Sequence, residues 1–164
     1  MKNMVVYLSL ERYLREWLTF HLGSPVRFPD RSCENALLHR LLTRRPYGAP
    51  PELNKQGTVP VIITDSRYRK PEHYNYLGRR GQREMAAAIE ALFRIDLWSG
   101  CLPLLHSKTE LNRGIDAWCT ANGISLDARE AVRQKFYRIR RDYMRFGIVL
   151  GVNFRKKRCD DSGT

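Results

Sequence analysis

No apolar run in this chain of 164 residues approaches the roughly 20 residues needed to cross a bilayer. The amino terminus also lacks the unbroken apolar core of a secretory signal, because Tyr7, Ser9 and Glu11 interrupt the stretch after Lys2. These absences predict an intracellular, cytoplasmic protein that does not engage a membrane. Cysteine is scarce: Cys33, Cys101, Cys119 and Cys159 form no CxxC pair, and His21, His39, His73 and His106 show no ligand spacing among themselves or with the cysteines. Reduced thiols and scattered imidazoles are expected, with no metal and no cofactor. The glycines are too few and wrongly spaced for a Walker loop or a GxGxxG turn. GxSxG, HExxH and a closely set acid pair are missing as well, and Asp65, Lys70 and Glu72 make no persuasive nuclease site. No catalytic residue is assigned, and the chain is not expected to be an enzyme.

Acid is the other shortage. Only 17 Asp and Glu stand against 29 Lys and Arg, a formal net charge of +12, and the pI is near 10.0. Such a surplus implies a polyanionic partner: nucleic acid, an acidic lipid surface or an acidic protein. Lipid binding calls for a continuous apolar helix face or an anchor, and the sequence has neither. Of the basic residues 22 are Arg and 7 are Lys, which favours forked contacts to phosphates or guanine edges. A coding bias toward G and C would give the same arginine excess. With 43% apolar and 28% charged residues, the composition is that of a folded globular chain.

Periodicity supplies the elements. Met4 to Leu10 alternates as a strand, and Glu11 to Leu22 carries Tyr13, Leu14, Trp17, Leu18 and Leu22 at helical spacing before Gly23. Ser32 predicts the cap of a second helix reaching about Thr43, with a stripe of Ala36, Leu37, Leu38, Leu41 and Leu42. Tyr47 to Gly57, with two prolines and two glycines, reads as a linker. Thr58 to Asp65 is β-branched, with Pro60 expected at an edge or a strand start. Ser66 to Gly81 reads as an exposed basic loop or helix entrance. Helices follow at Gln82–Trp98 (stripe Met85, Ala88, Ile89, Leu92, Phe93, Leu97), at Glu110–Ala121 after a Thr109 cap, and from Ser125 onward. The last is expected to be the longest, with a seam of Ala128, Val132, Phe136, Ile139, Tyr143 and Phe146. Arg155–Arg158 begin a tail expected to fray.

The last helix concentrates the charge: Arg129, Arg133, Lys135, Arg138, Arg140, Arg141 and Arg145 stand against Glu130 and Asp142. With the seam inward, Arg129, Arg133 and Arg140 share one flank with Tyr137, while Arg138, Arg141 and Arg145 line the other. Such a helix suits a groove or a phosphate backbone; the alternative is a solvated, ion-paired face. The loop Lys70–Arg83 places Tyr74 and Tyr76 near Arg79, Arg80 and Arg83 around two glycines, a way to hold backbone or an unpaired base. A tyrosine nucleophile there lacks an Arg and His constellation.

Two local likenesses accompany these patterns. The turn Cys119, Gly123, Ile124, Ser125, within residues 110–132, is similar to that of helix-turn-helix proteins, although Arg129 stands where a buried aliphatic is usual. Residues 4–42 resemble a ribbon-helix-helix domain, strand then two helices, which implies DNA binding and a homodimer paired through the strand. The inter-helix loop is long for that family, and Val5, Tyr7 and Ser9 are not base-reading side chains. A strand paired inside the chain with Thr58–Asp65 is the other option.

The expectation is an α+β fold, mostly helical, with a small two-stranded antiparallel sheet. A strand/helix unit (1–65) and a helical basic subdomain (66–164) are expected to pack as one compact domain. The expected function is binding of nucleic acid, duplex DNA before RNA, as a regulator or accessory factor of a mobile element or phage. A non-enzymatic protein that engages an acidic protein or RNA comes second, and an enzyme acting on nucleic acid third.

Overall fold

The computed structural model describes residues 4–105 and 108–146, with the backbone alone for Lys108 and Thr109. His106, Cys159 and the basic tail Arg155–Arg158 lie outside the described residues. The fold is α+β and mostly helical: β1 (Val5–Ser9), α1 (Arg12–Leu22), α2 (Cys33–Leu41), β2 (Thr58–Ile62), α3 (Arg79–Cys101), a 3-10 turn (Leu102–Leu104), α4 (Lys108–Ala121) and α5 (Leu126–Arg145). Two compact units divide inside α3, at Met1–Leu92 and Phe93–Thr164.

In the first unit β1 and β2 pair antiparallel, Val6 opposite Val61 and Leu8 opposite Val59. Alternation sends Val6, Leu8, Leu10, Val59, Val61 and Ile63 to one buried face. The flanking ladder bonds, Leu10 N–H to Gly57 O (3.3 Å) and Ile63 N–H to Met4 O (2.9 Å), fix the parity of the pairing. Pro60, opposite Tyr7, therefore occupies a non-hydrogen-bonded position, and its missing N–H costs the ladder nothing. On the far side of β2, Val26 donates to Pro60 O and accepts from Ile62 N–H, both at 2.8 Å, forming a one-residue parallel bridge to Val61. Pro60 thus sits mid-strand, not at the edge or strand start expected, in a register where neither neighbour needs its donor.

The outer edge of β1 is closed by side chains. Gln82 donates Nε2–H to Tyr7 O (2.7 Å) and accepts Ser9 N–H on Oε1 (3.3 Å). Glu52, from the proline-rich connection, lies near the backbone of Tyr7 and Leu77, and burial pushes its carboxyl up in spite of nearby Arg45. The strand that carries the ribbon-helix-helix likeness pairs with β2 of its own chain.

Helix α2 begins as expected, with Ser32 Oγ accepting Asn35 N–H at 3.1 Å. Its buried stripe differs: Asn35 and Leu38 are buried, Ala36 is exposed, and Leu37 and Leu41 are half-buried. The cause is a polar chain behind the helix. Asn35 Nδ2 donates to Asp30 O (3.0 Å), so its Oδ1 must accept from the Thr64 hydroxyl (3.1 Å). That hydroxyl has spent its proton, so His39 Nε2 must donate to it (2.9 Å). His39 Nδ1 is then the unprotonated nitrogen, and it is buried without a partner. Arg69 closes the end of α2 by donating Nη1–H to the carbonyls of His39, Arg40 and Leu42 at 3.0–3.1 Å.

The second unit buries Phe93, Leu97 and Cys101 of α3, Leu111, Ile115 and Cys119 of α4, and Ala128, Val132, Phe136 and Ile139 of α5. Trp98 stacks on Phe136 and Tyr143, with centroids 5.3 and 5.0 Å apart. A Cβ on Gly100 would lie 2.5 Å from the Trp118 indole, so only glycine lets that ring approach. Burial raises both core thiols, Cys101 to about 12 and Cys119 to about 11, which keeps them protonated and unreactive. Three details depart from the sequence pattern. Helix α3, at 23 residues, exceeds α5 at 20. Thr109 lies inside α4 instead of capping it. Tyr143 and Phe146, placed in the seam by spacing, are 41% and 87% exposed because the buried stripe ends at Ile139.

One pH dependence follows from the polar chain. Burial first, and Arg69 second, hold His39 below its ordinary 6.5, so the unfolded chain binds more protons once the pH falls under that value. Stability supplied by His39 is present above pH 6.5 and is lost as the pH falls toward the folded pKa. Urea midpoints measured between about pH 7.5 and 5 should fall more steeply for the native protein than for His39→Gln, which keeps an amide donor toward Thr64 without titrating. Parallel curves would show that His39 is not held neutral.

Candidate nucleic-acid interface

Helix α4 ends in a Schellman turn. Gly123 adopts φ 71°, Ile124 N–H reaches back to Cys119 O (2.9 Å) and Gly123 N–H to Thr120 O (3.3 Å). Ile124 then inserts into the core, 3% exposed, and directs the chain into α5. Ser125 stands at the N-cap position in extended conformation, but its side chain makes no capping bond; Asp127 supplies the acid of the first turn.

Once α5 is laid against α4, its basic residues separate into two classes. Along one flank, successive turns of the two helices meet in three polar rungs. Arg129 Nη2 donates to Thr120 Oγ1 (2.8 Å). Arg133 forks onto Asp116, Nε to Oδ1 at 3.0 Å and Nη2 to Oδ2. Tyr137 Oη donates to Asn112 Oδ1 (2.7 Å). Residues 112, 116 and 120 are each four apart, as are 129, 133 and 137, so the rungs repeat once per turn. Arg140, on the same flank, is half-buried. Arg129, Arg133, Tyr137 and Arg140, expected in the nucleic-acid contact, thus line a flank where the first three join helix to helix.

The other class faces outward. Arg138, Arg141 and Arg145 are exposed and form no hydrogen bond or ion pair among the described residues. Their spacing of three and four puts them on a single stripe, directed away from the buried seam. Asp142 is the one acid on the last two turns. Nearer the amino end, Asp127 and Glu130 are exposed, so the outward face of α5 changes sign along its length.

In the first unit Arg79, Arg80 and Arg83 open α3, whose first turn holds no acid. Arg80 Nε pairs with Glu84 Oε1 at 2.7 Å, while Arg79 and Arg83 are exposed and unpaired among the described residues. Cations at a helix amino end oppose its dipole, by about 0.3–1 kcal/mol each. Among the described residues no group of three or more His, Cys, Asp or Glu is arranged to hold a metal ion, and no helix is long and apolar enough to cross a membrane.

In the sequence Asn112, Asp116 and Thr120 are only polar residues spaced four apart; the bonds of the structure make them partners. Comparisons of the chain with protein-family models, with curated proteins and with solved structures give no match.

The two classes predict different stability effects. The Arg133–Asp116 pair is one-third exposed on each side, so screening limits it, but its forked geometry exceeds that of a lone surface pair. A double-mutant cycle of Arg133→Ala and Asp116→Ala, read by urea unfolding, should give a coupling of about 1 kcal/mol, whereas Arg138→Ala should change stability by less than about 0.5 kcal/mol. A coupling near zero would mean the rung contributes nothing to the helix pair.

Proposed function

We propose that this protein binds nucleic acid, duplex DNA in the first instance, through the outward stripe Arg138, Arg141 and Arg145 of α5. The observation that carries the reading is that these three guanidinium groups are exposed and uncommitted to the fold among the described residues, while Arg129 and Arg133 beside them are committed. From 138 to 145 the helix rises about 10 Å, a length over which duplex DNA presents about six phosphates. Guanidinium groups fork onto phosphate oxygens, and neutralising each phosphate releases condensed counterions.

The sign change along α5 selects which end makes contact. Asp127, Glu130 and the 74% exposed Leu126 make the amino-terminal turns a poor guest for a groove lined by phosphates. Contact through the carboxy-terminal turns is backbone binding, with affinity set by charge rather than by base edges. Arg79 and Arg83 of the first unit offer a second cationic surface of the same kind. The reading is non-enzymatic, since binding of this sort asks for no proton transfer and no nucleophile.

Salt dependence tests it. With three phosphates neutralised, the slope of log affinity on log salt is about −2.7, so raising salt from about 50 to 200 mM should weaken duplex retardation about 40-fold. The triple variant Arg138→Ala/Arg141→Ala/Arg145→Ala should lose most of that slope while melting like the native protein. Native-like binding by the folded triple variant would remove the stripe from the interface. Retention of an acidic protein with a shallow salt response, and no retardation of DNA or RNA, would favour a protein partner.

A further inference from the structure

In the first unit a cavity of about 440 Å³ is lined by Arg44, Arg45, Glu72, His73 and Asn75, and we propose that it binds a nucleoside phosphate, free or as an unpaired nucleotide of a strand. The inference stands on different residues from the α5 stripe and does not depend on it.

The lining residues lie outside helix and strand, yet their backbone is pinned. Thr43 and Tyr76 exchange both bridge bonds, at 2.9 and 3.1 Å, which ties the segment carrying Arg44 and Arg45 to the one carrying Asn75. The turn between Lys70 and Asn75 is closed by the N–H groups of His73 and Tyr74 on Lys70 O, each 3.0 Å, and by Asn75 Nδ2–H on Glu72 O at 3.2 Å. The wall is therefore formed before any ligand arrives, which lowers the cost of binding.

Its cations are not equivalent. Arg45 donates to Pro50 O at 2.8 Å and lies 4.0 Å from Glu52; Arg69, behind Tyr74, is spent on the carbonyls of α2. Arg44 has no hydrogen bond or ion pair among the described residues, but its guanidinium lies over the Tyr74 ring, 5.6 Å from the centroid. Arg69 holds the same ring at 5.3 Å. The contact holds the Arg44 guanidinium beside Tyr74 while leaving its donors available to an anion.

The mixed chemistry identifies the ligand class. Arg44 and His73 suit an anionic group, but Glu72 repels a simple anion and accepts N–H donors. Asn75, with one N–H used, retains a donor and a carbonyl acceptor. A ligand that satisfies all four is anionic at one end and offers N–H groups on a planar ring at the other, as a nucleotide does. The volume lies within the 300–1,000 Å³ or so typical of small-molecule sites.

Calorimetry on the full chain with the four nucleoside 5′-monophosphates, the nucleosides, inorganic phosphate and an unpaired octanucleotide tests this. Nucleotides or the octamer should bind at least about tenfold tighter than phosphate or nucleoside alone. The octamer winning over the free nucleotides assigns the site to a strand, and the reverse to a free ligand; both support the proposal. Arg44→Ala, which removes no bond of the fold, should weaken nucleotide binding about tenfold or more at unchanged melting temperature, and Glu72→Gln should alter the order among bases. Duplex retardation should survive Arg44→Ala, and nucleotide binding should survive loss of the α5 stripe, so the two readings fail separately. No heat with any nucleotide or strand, or inorganic phosphate binding as tightly as nucleotides, would overturn it.

Discussion

The fork of Arg133 onto Asp116 sits at the centre of three rungs by which α4 and α5 meet turn on turn. A guanidinium one-third exposed at a helix interface still needs acceptors on its covered side, where a donor left unpaired costs about 1–3 kcal/mol. Asp116, Thr120 and the flanking Glu130 supply them. The same rotation of α5 buries Ala128, Val132, Phe136 and Ile139 and leaves Arg138, Arg141 and Arg145 exposed. The outward arginine stripe is thus a by-product of where the inward arginine is held.

Much of the architecture was readable beforehand for a simple reason: burial in this chain follows one periodicity per element. Val6, Leu8 and Leu10 announce a one-sided strand, and Met85, Ile89, Phe93 and Leu97 a buried helix face. Terminators such as Gly23 and Gly123 carry their own geometry, with φ of 78° and 71°. What failed to show was anything decided by a partner distant in sequence. Asn35 is buried where Ala36 was the natural choice, because Thr64, 29 residues on, receives it. Pro60 sits mid-strand because Val26 needs its carbonyl and not its nitrogen.

The site was legible to the same extent. That α5 holds more cations than it can pair was evident from composition, but which ones are spent depends on α4, whose Asn112, Asp116 and Thr120 look like ordinary solvated positions until the two helices are brought together. Nothing in the sequence marks Arg44 and Arg45, which follow a helix and precede a proline; only the bridge between Thr43 and Tyr76 brings them to Glu72, His73 and Asn75. Tyr74 and Tyr76, singled out as stacking platforms, are already covered by guanidinium groups.

The Gln82 carboxamide, finally, imitates a neighbouring strand: it presents one donor and one acceptor to Tyr7 and Ser9 in the positions a third strand would use. An uncovered edge bearing Val-Val-Tyr-Leu-Ser would be a template for self-association, since such short β-prone segments stack readily between molecules. A carboxylate at position 82 could accept from Ser9 but would face the Tyr7 carbonyl with another acceptor, so even that near-isosteric change opens the edge. The Gln82 carboxamide therefore occupies backbone groups of β1 that another molecule's strand would otherwise pair with.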